Sequence, residues 1–152
     1  MLYSVDTSAL LDAWARWYPP DLFPSVWDRL SIVVENTEVV ATDEVLNELE
    51  RKADDCYAWA KDRPNMFLPL DADIQISAAE ILAEFPKLVD ERTGKSMGDP
   101  FVIAVAQVHS LTVVTGEKGG SPQKPKIPNV CAHFGLDCID IVEMMRRLDF
   151  QF

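Results

Sequence analysis

Residues 2–17 read LYSVDTSALLDAWARW, and the fold follows from how this stretch is parsed. Leu2–Val5 is a short β-type run ending at Asp6, and Ser8 is placed to cap a helix running through ALLDAWARW. Pro19 and Pro20 stop that helix, since a proline ring removes a backbone donor and clashes with the preceding turn. The same strand-then-helix order recurs along the chain. EVVA (38–41) reads as the next strand, with Thr42 as N-cap and Asp43 and Glu44 in a first turn whose dipole favours acids. That helix is expected to run toward Lys61. MFLPL (66–70) is interrupted by Pro69 and is reduced to an edge strand or a connection. LTVVT (111–115) and residues 137–139 complete the strands. Helices are expected over Phe23–Ile32, about Ala72–Phe85, FVIAVAQVH (101–109), around VCAHF (130–134) and over IVEMMRRL (141–148). FVIAVAQVH is apolar nearly all round, as a buried helix is. Short strands alternating with helices imply an α/β fold of three layers, α/β/α, around a short parallel sheet.

Composition narrows the class. A length of 152 residues suits one domain with one core, so residues 1–152 are read as a single unit. Apolar content of 48% and charged content of 26% are globular values. No apolar run is long enough to span a bilayer, and no leader pattern stands at the start, so a cytoplasmic location without membrane contact is expected. Cys56, Cys131 and Cys138 are an odd set without a CxxC pair, as expected of free thiols in a reducing compartment. The net charge of −11 falls unevenly: residues 1–100 hold 9 basic and 20 acidic residues, while 101–152 hold 5 of each. Electrostatics alone would not draw such a chain to nucleic acid, so that role needs a metal, a local basic patch, or both.

Four acids stand out by position. Asp6 follows the first strand and Glu117 lies two residues beyond LTVVT, so both belong at the carboxyl ends of the strands, where sites form in open parallel sheets. Each alone has an ordinary reading, Asp6 as a turn acid and Glu117 as a loop carboxylate. On the helix after Thr42, Val45, Leu46, Leu49, Ala53, Cys56 and Tyr57 form one stripe at about 100° per residue. Glu48 lies at the margin of that stripe, whereas Glu44 falls almost opposite it, toward solvent. Asp99 precedes Pro100 and follows Gly98, the pattern of a helix cap, and is read as both cap and site carboxylate. Gathered together, four carboxylates would repel one another, and a hard divalent cation with its preference for oxygen would relieve that. Mg²⁺ or Mn²⁺ would fit, with a bound water as the nucleophile toward phosphorus.

DTSAL after the first strand, VLNEL on a following helix, DPFVIAVA and VVTGE, in that order, resemble the PIN-domain family. The stretch KIPNVCAHFGLDCI resembles a PIN-like branch related to VapC-type toxins. The resemblance spans nearly the whole chain. It implies a PIN-like three-layer fold and a metal-dependent endoribonuclease that cleaves single-stranded or structured RNA, the toxin of a toxin–antitoxin pair. It further implies that Asp6, Glu48, Asp99 and Glu117 hold metal, with Thr115 as a polar neighbour, and that a cognate antitoxin and a second copy of the chain are partners. Many PIN domains carry Asp where Glu117 stands, so its side chain reaches one methylene further. The alternative is a catalytically silent PIN-like module that binds RNA or protein.

Other features carry simpler readings. Lys118, Lys124 and Lys126 form a basic loop near Glu117, either an RNA contact or a solubilising loop. Arg146 and Arg147 complement the end of their helix, and His109 and His133 are structural. Trp14, Trp17, Tyr18 and Trp27 are read as core or helix–helix packing, whereas an exposed subset would mark a partner surface. No glycine-rich phosphate loop, nucleophile elbow or Cys/His pair is present.

Overall fold

The computed structural model describes residues 1–152 and is built on five parallel strands: β1 (Tyr3–Val5), β2 (Val39–Thr42), β3 (Phe67–Leu68), β4 (Thr112–Val114) and β5 (Cys138–Ile139). Their order is β3-β2-β1-β4-β5. The chain moves outward from β1 through β2 to β3, then crosses back to β4 on the other side of β1. The winding therefore reverses between β1 and β4, and a crevice opens at that switch point. Val5 is paired with Val114 in the register, so the two strands end side by side. Beyond them, the Asp6 amide donates to the Val114 carbonyl at 2.8 Å and the Thr115 amide to the Ile139 carbonyl at 3.0 Å. Those bonds fix the backbone that carries both residues into the crevice.

Helices cover the sheet: α1 (Thr7–Asp12), α2 (Pro24–Glu35), α3 (Asp43–Lys52), α4 (Asp54–Lys61), α5 (Ala72–Glu84), α6 (Asp99–His109), α7 (Ile127–Phe134) and α8 (Ile141–Arg147). This is the three-layer α/β/α arrangement around a short parallel sheet. Helix α6 packs across β1, β2 and β4, and Val102 to Ala106 are all buried, so its apolar circumference is accounted for. Buried Ser4 on β1 donates its hydroxyl to the Val102 carbonyl at 2.8 Å, pinning α6 to the central strand. The three cysteines are free thiols, and no helix is long and apolar enough to cross a membrane.

Local corrections follow from physical causes. Ser8 does not cap the first helix, because Asp6 occupies the N-cap position and Ser8 donates its hydroxyl to the Asp6 carboxylate instead. Asp99 is likewise not a cap. Gly98 holds that position, Asp99 is the first helical residue, and Pro100 follows in the first turn, where its fixed φ costs nothing. The expected single helix from Thr42 toward Lys61 divides at Ala53, whose extended backbone (φ −156°, ψ 92°) lets α4 turn away from α3. Thr42 does precede α3, but its hydroxyl is buried without a partner. After α1 the chain widens into a π turn, Ala13–Trp17, closed by the Tyr18 amide donating to the Ala13 carbonyl at 2.8 Å.

Candidate metal centre

The crevice between β1 and β4 gathers acids from three elements. Asp6 arrives from the end of β1, Asp99 from the first turn of α6 and Glu117 from the loop after β4. One carboxylate oxygen of each lies within 4.8 Å of the others. Asp6 is held by two hydroxyls on the same oxygen: Ser8 Oγ donates to Oδ2 at 2.5 Å and Thr115 Oγ1 at 3.1 Å. Thr115 Oγ1 in turn accepts from the Glu117 amide at 3.1 Å, and Ser8 Oγ accepts from the Gly116 amide at 2.9 Å. Gly116 matters here because a Cβ at this position would press on the Asp12 carboxylate and the Ser8 backbone. Glu117 Oε2 accepts from the Ile127 amide at the start of α7, at 3.1 Å, so that helix fixes its rotamer.

Electrostatics show what this assembly costs without a cation. Asp6, Asp99 and Glu48 all titrate above the ordinary carboxylate range, and so does Glu117; burial is the largest cause in each case. Asp99 is pushed up to about 9, first by burial and then by the charges of Asp6, Glu117 and Glu48. Its Oδ2 is buried and has no hydrogen-bond partner. An orphaned buried carboxylate oxygen facing two more carboxylates needs a proton or a cation. The donor set is all oxygen and all anionic, which suits a hard divalent ion such as Mg²⁺ or Mn²⁺. The residues present therefore fit the group that the sequence suggests.

Glu48 stands slightly apart. It shares the cavity of the three acids but lies outside their tight cluster, with a side chain 16% exposed and Lys52 Nζ 3.7 Å away. Glu44, expected in solvent, is instead half-buried and lines a neighbouring cavity with the Thr93–Met97 segment, which folds back over α3. Of the three loop lysines, Lys118 lines a cavity that includes Thr115 and Glu117. Lys126 is the N-cap of α7 and its charge counteracts the rise at Glu117, while Lys124 is exposed in the loop. Three residues that sequence reading assigned elsewhere or passed over also border the site. Trp17 is 56% exposed rather than packed with Trp14 and Trp27. Ser8 orients Asp6 rather than starting a helix, and Arg146 reaches the cavity wall beside Lys118. The spacing of Ser8 two residues after Asp6 was the only sequence signal for any of them. His109 is exposed at the end of α6, and His133 packs on Phe85 and Phe134 with Glu84 3.5 Å from its Nε2, both remote from the acids.

Comparison with known proteins agrees with the architecture. A family model described as a domain of unknown function, DUF4411, matches residues 3–152. No curated protein matches the chain. Among solved structures, VapBC2 from Rickettsia felis bound to a DNA fragment from their promoter is similar, with a TM-score of 0.56 at 14% sequence identity. The match covers 92% of this chain and 98% of that one. At this identity the likeness shows the fold, which is the PIN-like α/β/α arrangement.

Proposed function

The chain belongs to the DUF4411 family, and from that premise and the acid cluster we propose that it is a divalent-metal-dependent endoribonuclease, acting as the toxin of a toxin–antitoxin pair. Residues 1–152 are read as one PIN-like domain working in the cytoplasm. The observation that carries the reading is the buried, partnerless Asp99 Oδ2 set against Asp6 and Glu117 at the switch point of the sheet. Asp6, Asp99 and Glu117 would hold Mg²⁺ or Mn²⁺, with Glu48 closing the α3 side. When bound, such a cation supplies a more acidic water and a counter-charge for the scissile phosphate.

The chain's own residues do the positioning. Ser8 and Thr115 hold Asp6 Oδ2 with their hydroxyl protons, so the Asp6 rotamer is set before any ligand arrives. The Ile127 amide does the same for Glu117. The charges of Asp6, Glu117 and Glu48 add to burial in raising Asp99, a cost that a cation held among them would offset. Lys126 and Lys52, at opposite sides, limit the acidity that an incoming phosphate meets.

Single-stranded RNA incubated with the purified chain should be cut in Mg²⁺ or Mn²⁺ and left intact in EDTA. Asp6→Asn and Asp99→Asn should each lose at least about a hundredfold in rate while retaining the fold, as expected when several kcal/mol of charge stabilisation go. Either variant cutting at the native rate would defeat the assignment. A second reading is a PIN-like module that binds RNA or a partner without turnover; the net charge of −11, which does not attract a polyanion, favours its protein-binding form. The neighbouring structure pairs two proteins on promoter DNA, which supports an antitoxin partner for this chain too.

A further inference from the structure

The acid cluster is the middle of a longer depression. Its own cavity, about 140 Å³, shares Glu117 with a cavity of about 430 Å³ on the α8 side. It shares Glu48, Lys52 and Ser96 with another of about 430 Å³ on the α3 side. Three cavities with common walls make one trough, and each end has the size of a small-ligand pocket.

The two ends differ in chemistry. At the α8 end the exposed Trp17 lines the wall together with Lys118 and Arg146. Trp14 and Trp27 stack edge to face with ring centroids 4.6 Å apart, but Trp17, at the close of the π turn, is carried away from that packing and is 56% exposed. π turns of this kind occur often at functional sites. Three acids, Asp12, Glu117 and Asp140, face the two cations at this end, so charge alone would not hold a phosphate there. The Asp140 carboxylate is moreover occupied in capping α8, accepting from the Glu143 amide at 2.8 Å. At the α3 end the balance is reversed: Arg51, Lys52 and Lys95 face Glu44 and Glu48, with no aromatic ring in the wall.

We propose that single-stranded RNA lies along this trough, with one base stacked on Trp17 at the α8 end and its backbone phosphates held by Arg51 and Lys95 at the α3 end. The proposal rests on the nuclease reading above and adds the path of the substrate to it. A stacking face combined with a charged groove is how single strands are held irrespective of sequence. A duplex keeps its bases stacked on each other and cannot offer one to Trp17.

The test is fluorescence anisotropy with a short fluorescein-labelled oligouridylate in Ca²⁺, its intactness checked on a gel. Trp17→Ala should weaken binding about tenfold, while Trp17→Phe, which keeps a stacking ring, stays within about threefold of the native chain. The matching duplex should bind all of them weakly. The double variant Arg51→Gln/Lys95→Gln should lower the slope of log affinity against log salt by about 1.4, since each phosphate contact on a single strand contributes about 0.7. Trp17→Ala should leave that slope unchanged. Native affinity in Trp17→Ala, or an unchanged slope in the double variant, overturns the trough. A native chain that binds in the expected pattern yet never cuts RNA in Mn²⁺ contradicts the proposed activity and supports the trough. One that cuts RNA while the variants bind as it does overturns the trough and leaves the activity standing.

Discussion

Asp99 is strained by the assembly of the site, and its titration gives that a sign. In the folded chain its carboxyl is pushed up to about 9, whereas in the unfolded chain it titrates near the ordinary value of 3.8. Between those limits the folded state keeps a proton that the unfolded state has released, so stability falls as pH rises through that window. Asp6, Glu48 and Glu117 are shifted in the same direction and add to the trend. The Tm of metal-free protein should therefore decline from about pH 4 to about pH 9, and Asp99→Asn should flatten the decline and raise the Tm at neutral pH. A metal-free Tm that rises across this range would contradict the assignment of the buried acids. Thr115→Val should cost about ten- to a hundredfold in Mn²⁺ affinity, because it removes one of the two hydroxyls on Asp6 and the acceptor of the Glu117 amide together. Thermal shift in graded Mn²⁺ measures this. Asp6 and Glu117 were legible in the sequence because each follows a strand end, and Asp99 because it opens an apolar helix. That Asp99 lacks a capping role was not legible, since Gly98 and Asp99 both satisfy the local rule and only the backbone decides between them. Trp17, Arg51, Lys95 and Arg146 were not legible as neighbours of the acids, because their proximity depends on how distant elements pack.

Among the elements, the entry to α6 governs more than its own helix. A Cβ at Gly98 would lie 2.5 Å from Glu48 Oε1, so the glycine makes room for the side chain that closes the α3 side of the site. Its φ of −82° is ordinary, so the constraint is space and not backbone conformation. Gly98→Ala should fold but push Glu48 aside, lowering RNA cleavage about ten- to a hundredfold, as displacements near 1 Å do at reacting centres. Cleavage at the native rate in that variant would place Glu48 outside the machinery. The helical wheel located Glu48 correctly at the margin of its stripe, but the stripe was drawn through Ala53 to Tyr57. The break at Ala53 reassigns Cys56 and Tyr57 to α4, a boundary that no proline or glycine marks. The π turn at Ala13–Trp17 is likewise unmarked in the sequence. Alanine and arginine are good helix formers, so nothing local marks the extra residue per turn, although Trp14 in it and Tyr18 after it pack against the core.

At the scale of the whole molecule, order and position explain one another. Strand runs of two to four residues were enough to read a parallel sheet, because helices of regular length separate them. Topology then places the reversal between β1 and β4, and the acids collect where the winding changes direction. The overall charge of −11 sits entirely in residues 1–100, so the proposed activity requires local cations and a bound ion, rather than the general field, to draw RNA. Added Mn²⁺ should consequently stabilise the native chain, by about 2.7 kcal/mol at one hundred times Kd, and do far less for Asp99→Asn. Whether the three acids form a metal centre is decided by calorimetric titration of metal-stripped protein with Mn²⁺ at neutral pH. A metal centre gives saturable heat accompanied by proton release, affinity that rises with pH as the acids ionise, and only dilution heat from Asp6→Asn and Asp99→Asn. Dilution heat alone from the native chain, or native binding by Asp99→Asn, would contradict it.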